Sequence, residues 1–231
     1  MTAQPVSRTI PIVLTALVAF FSAFAALAVS NGMAHAHGDA DHQHAHGSPA
    51  LTKKAVALRM DMRKLWEDHI TWTRLAIISL ESGSPDTQAT VARLLQNQTD
   101  IGDAVKPFYG TAAGDELTRQ LRSHILIAAE VIAAAKNGDN AKLADAQARW
   151  LTNADDIAAL LHSVNPHYWK LPVLTAEMHT HLQLTTEEAV ARLHGDWAGD
   201  VAAYDKVHDH ILHMSDLLSE GLIKQFPKRF H

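Results

Sequence analysis

Histidine is the residue type with which this chain is best equipped to do chemistry, because it holds 16 histidines and no cysteine. The histidines gather in two segments, HAHGDADHQHAHG at residues 35–47 and DVAAYDKVHDHILHMSD at residues 200–216. Without thiolates, a metal site must use His, Asp, Glu, Met or backbone ligands. Imidazole is the commonest protein ligand for metals, and the Irving–Williams order favours copper at a nitrogen-rich site. The composition therefore predicts binding of a divalent transition metal, copper or zinc.

The segment 200–216 carries its candidate ligands at helical spacing. Asp205 and His208 are one turn apart, and so are His210 and His213. This spacing lets two side chains point at a single ion, and imidazole with carboxylate suits zinc or copper. The predicted site on the folded domain consists of His181, Asp205, His208, His210 and His213. The alternative is that the histidines on one face are buried and hydrogen-bonded while the others face solvent.

The N-terminal residues 1–36 have the order of a secretory signal peptide. A basic Arg8 precedes an apolar run over residues 10–29, and the small-residue triplet Ala34-His35-Ala36 follows. The protein is therefore predicted to be exported, periplasmic or secreted, and to keep no membrane span after cleavage. An uncleaved membrane anchor is the alternative, because the apolar run is close to the ~20 residues that span a bilayer.

Residues 37–50 form a predicted flexible, histidine-rich arm. Cleavage after Ala36 gives His37 a free amine beside its imidazole, which is a chelating pair suited to copper(II). Cleavage after Ala28 leaves the whole histidine segment on the mature chain. The predicted metal ligands of the arm are His37, His42, His44 and His46. The alternative is a soluble linker whose histidines bind metal only loosely.

Charge and missing motifs exclude several classes of function. Removal of Arg8 with the signal leaves 20 − 1 = 19 basic against 25 acidic residues, so the mature chain lacks the basic face that nucleic-acid binding requires. The sequence has no G-x-S-x-G, no H-E-x-x-H and no glycine-rich phosphate loop. These absences favour a protein that is not an enzyme. Two alternatives to metal binding as such stay open. One is a metal-independent periplasmic interaction or stress protein with structural histidines. The other is a metal-dependent enzyme that uses Asp200, Tyr204 and His208 with His181.

Residues 51–231 show helical periodicity throughout, and no stretch alternates with the period of a strand. Glycine and proline breakers divide this segment into six predicted helices. Their predicted ranges are 51–81, 87–105, 113–136, 140–163, 171–194 and 197–224, with the capping-box pattern Thr185-x-x-Glu188 as a candidate break in the fifth. Short connections make successive helices antiparallel neighbours, so the predicted fold is an all-α, up-and-down bundle.

An internal repeat suggests that the bundle consists of three similar helical hairpins. Three histidines each stand fourteen residues before a glycine at a predicted turn, in the pairs His69/Gly83, His124/Gly138 and His181/Gly195. Because two antiparallel helices rise equally away from their turn, each histidine has a predictable counterpart on the second helix. The predicted facing ranges are 97–100 for His69, 153–156 for His124 and 204–208 for His181. The first two ranges offer Asn or Asp as a partner, and the third offers another histidine.

Two longer stretches resemble a known family. They are LWEDHITWTRL with LLQNQTDIGDAVKPFYG, and GDWAGDVAAYDKVHDHILHMSDLLSEGLIKQFPKRF. They resemble a poorly characterised bacterial family of small exported helical proteins, over about residues 60–230. Members of that family often carry the name glycosyltransferase, but the family offers no catalytic residues to transfer to this chain. Nucleotide-sugar transferases typically have α/β folds with a D-x-D motif. The helical region shows neither, so the name does not define an expected activity here.

Overall fold

The structure, a computed structural model, describes residues 52–231, and these form six long helices joined by short turns. The helices are α1 (Lys53–Ser82), α2 (Thr87–Tyr109), α3 (Thr111–Asn137), α4 (Asn140–Val164), α5 (Leu171–Leu193) and α6 (Trp197–Gln225), followed by a short 3-10 turn, Pro227–Arg229. The described residues include no strand. The predicted all-α bundle of six helices is therefore confirmed. The signal peptide and the histidine-rich arm lie outside the described residues.

The helix ends follow from local sequence. The Thr52 side chain accepts a hydrogen bond from the backbone N–H of Ala55 and so caps the start of α1. At the other end of α1, Gly83 takes φ 66°, and Gly138 ends α3 in the same way with φ 69°. Glycine reaches this left-handed conformation without the steric penalty that other residues meet. These residues fix the two tight turns that define the first two hairpins.

Two helices are longer or more continuous than their sequence patterns predict. Helix α2 runs past Pro107 to Tyr109, whereas the proline predicted an end at residue 105. The extra turn is held by packing, since the ring of Phe108 lies 5.4 Å from that of Phe226 and the Tyr109 hydroxyl donates to Gln225 Oε1 at 2.6 Å. Helix α5 continues without a break through residues 185–188. In both cases tertiary contacts outweigh a local signal.

The six helices close on themselves around one apolar core. Each helix packs against the next along the chain, and α6 returns to pack against α1. Helix α1 also contacts α3 and α5, which makes it the helix with the most neighbours. The main core includes three tryptophans, Trp66, Trp150 and Trp169, which come from α1, from α4 and from the connection between α4 and α5. This arrangement brings the first helix of every hairpin to the centre of the bundle.

Two glycines allow α2 and α3 to approach closely. A Cβ atom added at Gly102 would lie 1.9 Å from Thr118 Oγ1 and 2.6 Å from the carbonyl oxygen of Gly114. A Cβ atom added at Gly114 would in turn lie 2.6 Å from the carbonyl oxygen of Gly102. Real atoms cannot come this close, so the two backbones can touch only because both side chains are absent.

A buried ionic cluster ties α1 to α5 and α6. The guanidinium of Arg74 donates to Glu188 Oε1 at 2.8 Å and to both carboxylate oxygens of Asp200, at 2.8 and 3.1 Å. Arg192 approaches the same Asp200 at 3.2 Å. Glu188 and Asp200 are each only 1% exposed, and burial raises the pKa of Glu188 to about 7 despite the two arginines. The cluster therefore holds its charges in pairs, with Glu188 able to take up a proton near neutral pH.

None of the helices in residues 52–231 combines the length and the apolar character that a membrane span requires.

Candidate functional site

Three histidines, one from the first helix of each hairpin, meet in the core. They are His69, His124 and His181, and each is at most 5% exposed. The ring of His181 stands between the others, with its centroid 5.8 Å from that of His69 and 6.1 Å from that of His124. The three histidines that share this spacing therefore lie side by side in the fold.

His124 is fully hydrogen-bonded, which fixes its protonation. Its Nδ1 lies 2.8 Å from Oδ1 of Asn153, and because this oxygen can only accept, Nδ1 carries the proton. Its Nε2 accepts a hydrogen bond from the indole N–H of Trp150 at 3.1 Å. Asn153 in turn donates to the backbone carbonyl of Gln120 at 3.2 Å. The predicted partner range 153–156 is confirmed, and neither ring nitrogen of His124 is left for a metal ion.

His69 also finds its partner in the predicted range, but less completely. Gln98 Nε2 lies 3.2 Å from His69 Nδ1, 2.8 Å from the carbonyl oxygen of Leu94 and 3.1 Å from Asn97 Oδ1. The amide carries two hydrogens, so it can serve two of these three acceptors at once. Burial, followed by the neighbouring His124, lowers the pKa of His69 to about 3 against the opposing contact with Asn97. His69 is therefore a neutral, structural imidazole at neutral pH.

His181 is the least satisfied of the three. Its Nδ1 is buried and has no hydrogen-bond partner within residues 52–231. Burial lowers its pKa well below the usual value, and the adjacent His69 and His124 lower it further. The three rings border a cavity of about 30 Å³ whose other walls are apolar, with Met178 and Met214 among them. This volume has room for about two waters.

The surface end of this histidine group lies between α5 and α6. The ring of His210 is 6.2 Å from that of His181, and its Nε2 lies 3.1 Å from the backbone carbonyl oxygen of Glu177. Since a carbonyl can only accept, Nε2 carries the proton and Nδ1 keeps a lone pair. This Nδ1 lies 3.6 Å from Glu177 Oε2, and His213 Nε2 lies 3.3 Å from Glu177 Oε1. Two imidazoles thus flank one carboxylate, a group called here the Glu177 cluster.

The other residues of the predicted metal site go elsewhere. His208 Nε2 lies 3.5 Å from Glu67 of α1, and its ring lies 6.3 Å from that of Tyr204. Asp205 is exposed. The structure thus pairs the ring of His181 with His210, where the sequence predicted a partner within residues 204–208. Asp200 belongs to the buried ionic cluster, where its carboxylate is paired with Arg74 and Arg192. The face considered for an enzyme therefore has no unpaired carboxylate at this position.

Burial also affects the imidazole of His210, whose side chain is 10% exposed. Loss of solvent lowers the pKa of His210, and Glu177 opposes that shift.

Within the described part of the chain no group of three or more His, Asp or Glu side chains stands arranged to hold a metal ion. The predicted arm ligands His37, His42, His44 and His46 lie outside it. Of the predicted ligands on the bundle, only His210 and His213 share a common partner.

Glu177 is the residue that sequence reasoning missed. It lies in the stretch AEMHTHL, residues 176–182, four positions before His181 on the same helix. The spacing of Glu177 to His181 is a possible metal-ligand pattern, but the partner of Glu177 proves to be the i, i+3 pair His210 and His213 on the next helix. Only the packing of α5 against α6 shows this.

Comparison of the chain with protein-family models, with curated proteins and with solved structures finds no match in any of the three.

Proposed function

We propose that this is an exported helical-bundle protein that binds a divalent transition metal, copper or zinc, through Glu177, His210 and His213. The predicted arm ligands, His37, His42, His44 and His46, serve to capture the ion. The observation that carries the proposal is the lone pair on His210 Nδ1. The ring of His210 is oriented by the hydrogen bond that its Nε2 donates to a backbone carbonyl, and metal-binding histidines are typically oriented in this way.

The distances within the Glu177 cluster support a metal ion at this place. Two ligand atoms bound at 2.0–2.1 Å to one tetrahedral ion stand roughly 3.3–3.4 Å apart. The two nitrogen–oxygen distances of the cluster, 3.6 Å from His210 and 3.3 Å from His213, are close to this value. The lone pair of His210 Nδ1 facing a carboxylate is repulsive, and a cation between the two groups would turn this contact into an attractive one.

The cluster must tighten before it can hold an ion. The side chain of His213 is 65% exposed, so its ring can turn without disturbing the core, whereas Glu177 and His210 are held between two helices. Ordering His213 has an entropic cost. We therefore expect moderate affinity from the bundle alone and a contribution from the arm. Five residues lie between His46 and Thr52, and this stretch spans at most about 20 Å.

The test is calorimetric titration of copper(II) and zinc into the mature protein without a purification tag. His213→Asn should weaken binding by the bundle at least tenfold, and Glu177→Gln should do the same while keeping the shape of the side chain. His208→Asn is the matched control, because His208 lies on the same helix and also faces a glutamate. Equal affinity in all four proteins would contradict the proposed site.

The arm is tested separately. Replacement of His37, His42, His44 and His46 by serine should reduce the number of bound ions or slow their uptake while leaving the contribution of the Glu177 cluster. If this variant and His213→Asn both bind as tightly as the unchanged protein, metal binding by these residues is refuted.

A second function is favoured by the hydrogen bonds of His124. Because Asn153 and Trp150 occupy both of its ring nitrogens, the buried histidines serve the fold itself. This agrees with a metal-independent interaction or stress protein. A ligand that binds only the folded state must raise the melting temperature, so unchanged melting in excess copper and zinc would favour this second function.

A further inference from the structure

The two ends of the bundle differ in charge, where an end comprises the first or last turn of each helix and the connections between them. One end consists of residues 52–56, 106–114, 161–174 and 222–231. It carries seven Lys or Arg residues and no Asp or Glu. The opposite end consists of residues 79–90, 134–143 and 190–200. It carries three basic and five acidic residues, 3 − 5 = −2. The basic end, called here the terminal face, therefore stands apart in a chain whose net charge is −5.

Contacts between distant parts of the chain hold the terminal face together. Lys54 Nζ donates to the main-chain oxygen of His231 at 2.9 Å and so joins the start of α1 to the last residues. The ring of Tyr109 lies 5.6 Å from that of Trp169, which joins α2 to the connection between α4 and α5. The same Tyr109 ring lies 5.6 Å from that of Phe226, just after α6. The basic residues of these segments therefore belong to one surface of the bundle.

Most of this positive charge is not neutralised by a neighbouring carboxylate. Lys106 pairs with Asp103 and Asp115, and Lys224 pairs with Glu220. The other five basic residues are exposed and form no ion pair with a side chain of residues 52–231; they are Lys53, Lys54, Lys170, Lys228 and Arg229. Like charges gathered on one surface attract a partner of opposite charge. The terminal face is therefore complementary to an extended anionic surface.

Large apolar side chains are exposed on the same face. Four of them are 38–44% exposed, namely Val56, Tyr168, Leu171 and Val173. The opposite end exposes only Trp197. Tyrosine rings favour the boundary between membrane and water, and a lysine can lay its carbon chain along apolar surface while its ammonium stays in water. A soluble polyanion offers nothing to these apolar groups, whereas a lipid surface provides both anionic headgroups and an apolar layer.

We propose that the terminal face docks on a membrane surface that contains anionic phospholipids. Its cations contact the lipid phosphates, and its exposed apolar side chains enter the headgroup layer. The chain enters the bundle at this face, at Thr52. The residues before Thr52 therefore leave from the side that faces the membrane, whether or not the apolar run at residues 10–29 is removed. Docking of this kind needs no helix that crosses the bilayer, and it needs no metal ion.

The test is cosedimentation of the mature protein, residues 37–231, with vesicles made of equal parts of phosphatidylglycerol and phosphatidylcholine. Excess chelator removes metal ions, and a pH of about 8 keeps exposed histidines neutral. We expect binding to these vesicles and none to vesicles of phosphatidylcholine alone. Raising the salt from about 0.1 M to about 1 M should release the protein, because the Debye length falls from about 10 Å to about 3 Å.

Two matched pairs of variants locate the binding surface. A basic residue near an anionic membrane is worth about fivefold in affinity, so Lys170→Gln should weaken vesicle binding by about that factor. Lys142→Gln, the same change at an exposed position of the opposite end, should have no effect. Val173→Ser should weaken binding about threefold, because less apolar surface is buried. Val201→Ser, at a valine that is 53% exposed on α6, is its control.

Three results would overturn the proposal. The first is the absence of binding to the vesicles that contain phosphatidylglycerol. The second is equal weakening by Lys170→Gln and Lys142→Gln, which would show that net charge and not the terminal face determines binding. The third is vesicle binding that Val173→Ser leaves unchanged and that heparin, a soluble polyanion, abolishes; the partner would then be a polyanion and not a lipid surface. All four substitutions are at exposed positions, so the comparisons do not depend on a change in the core.

Discussion

Acidification from pH 7 to pH 5 should destabilise this protein through its buried histidines. The pKa of His69 in the folded state is about 3 and that of His124 about 4, both below the value of roughly 6.5 in an unfolded chain. Between these values the unfolded state binds more protons than the folded state. The stability that these two histidines contribute is therefore fully present above about pH 6.5 and is lost as the pH falls toward their folded-state pKa values.

The size of the loss follows from the same pKa values. At pH 5, a histidine with a folded pKa of about 3 or 4 removes about 2 kcal/mol of unfolding free energy. The two together remove about 4 kcal/mol, and His181 adds to the loss because its pKa is also lowered. Glu188 acts in the opposite direction, since its raised pKa of about 7 returns about 2 kcal/mol over the same range.

The assay is urea unfolding followed by circular dichroism at pH 7, 6 and 5. Replacement of His124 by Gln removes one titrating group, so the slope of unfolding free energy between pH 6 and 5 should fall by about 1.4 kcal/mol per pH unit, the value of one proton. This change in slope is expected even though the variant is less stable at neutral pH. His167→Asn, at an exposed position, should leave the slope as it is. An unchanged slope in His124→Gln would refute the reasoning.

Three further substitutions probe the packing and the charges. Because the raised pKa of Glu188 opposes the gain in stability that the histidines give as the pH rises, Glu188→Gln should make the rise in unfolding free energy between pH 5 and 8 larger by about 2–3 kcal/mol, measured by urea unfolding; an unchanged pH dependence would mean that Glu188 does not titrate in this range. Trp150→Phe deprives His124 of its donor and should lower the free energy of unfolding by about 1–3 kcal/mol, and a neutral effect would contradict the proposed tautomer. Gly102→Ala forces apart the α2–α3 contact and should lower it by about 1–3 kcal/mol, measured in the same way; a stabilised variant would show that the helices can move apart without loss.

Most of the helix boundaries could be predicted from sequence because they depend on local chemistry. Gly83 and Gly138 take the left-handed conformation that ends a helix, and the turns fall where these residues stand. The helix end predicted before Pro107 is wrong, because the helix-breaking preference of proline is outweighed there by aromatic contacts of Phe108 and Tyr109 with the C-terminal residues. Those contacts involve residues far apart in sequence, which no local pattern reveals.

The partners of the buried histidines were predictable only where the turn was tight. Equal rise on both helices placed His69 and His124 against the correct ranges. For His181 the prediction of residues 204–208 was short of the actual neighbour. Equal counts back from Leu193 and forward from Trp197 reach His181 and Asp209, next to His210. The position of Glu177 against α6 depends on how the two helices are rotated about their axes, which sequence spacing leaves open.

The central place of α1 has a consequence for the order in which the chain assembles. Arg59 and Glu220 are 161 residues apart in sequence, and Arg63 and Asp216 are 153 apart, yet each pair is joined across the α1–α6 contact. Local hairpins close quickly, whereas contacts of such long separation form late. During synthesis α1 is made first, and the side of α1 that packs against α6 stays uncovered until α6 is complete. Truncation before α6 should therefore leave a species that binds hydrophobic dyes and exchanges its α1 amide hydrogens rapidly, while the α3–α4 hairpin stays protected.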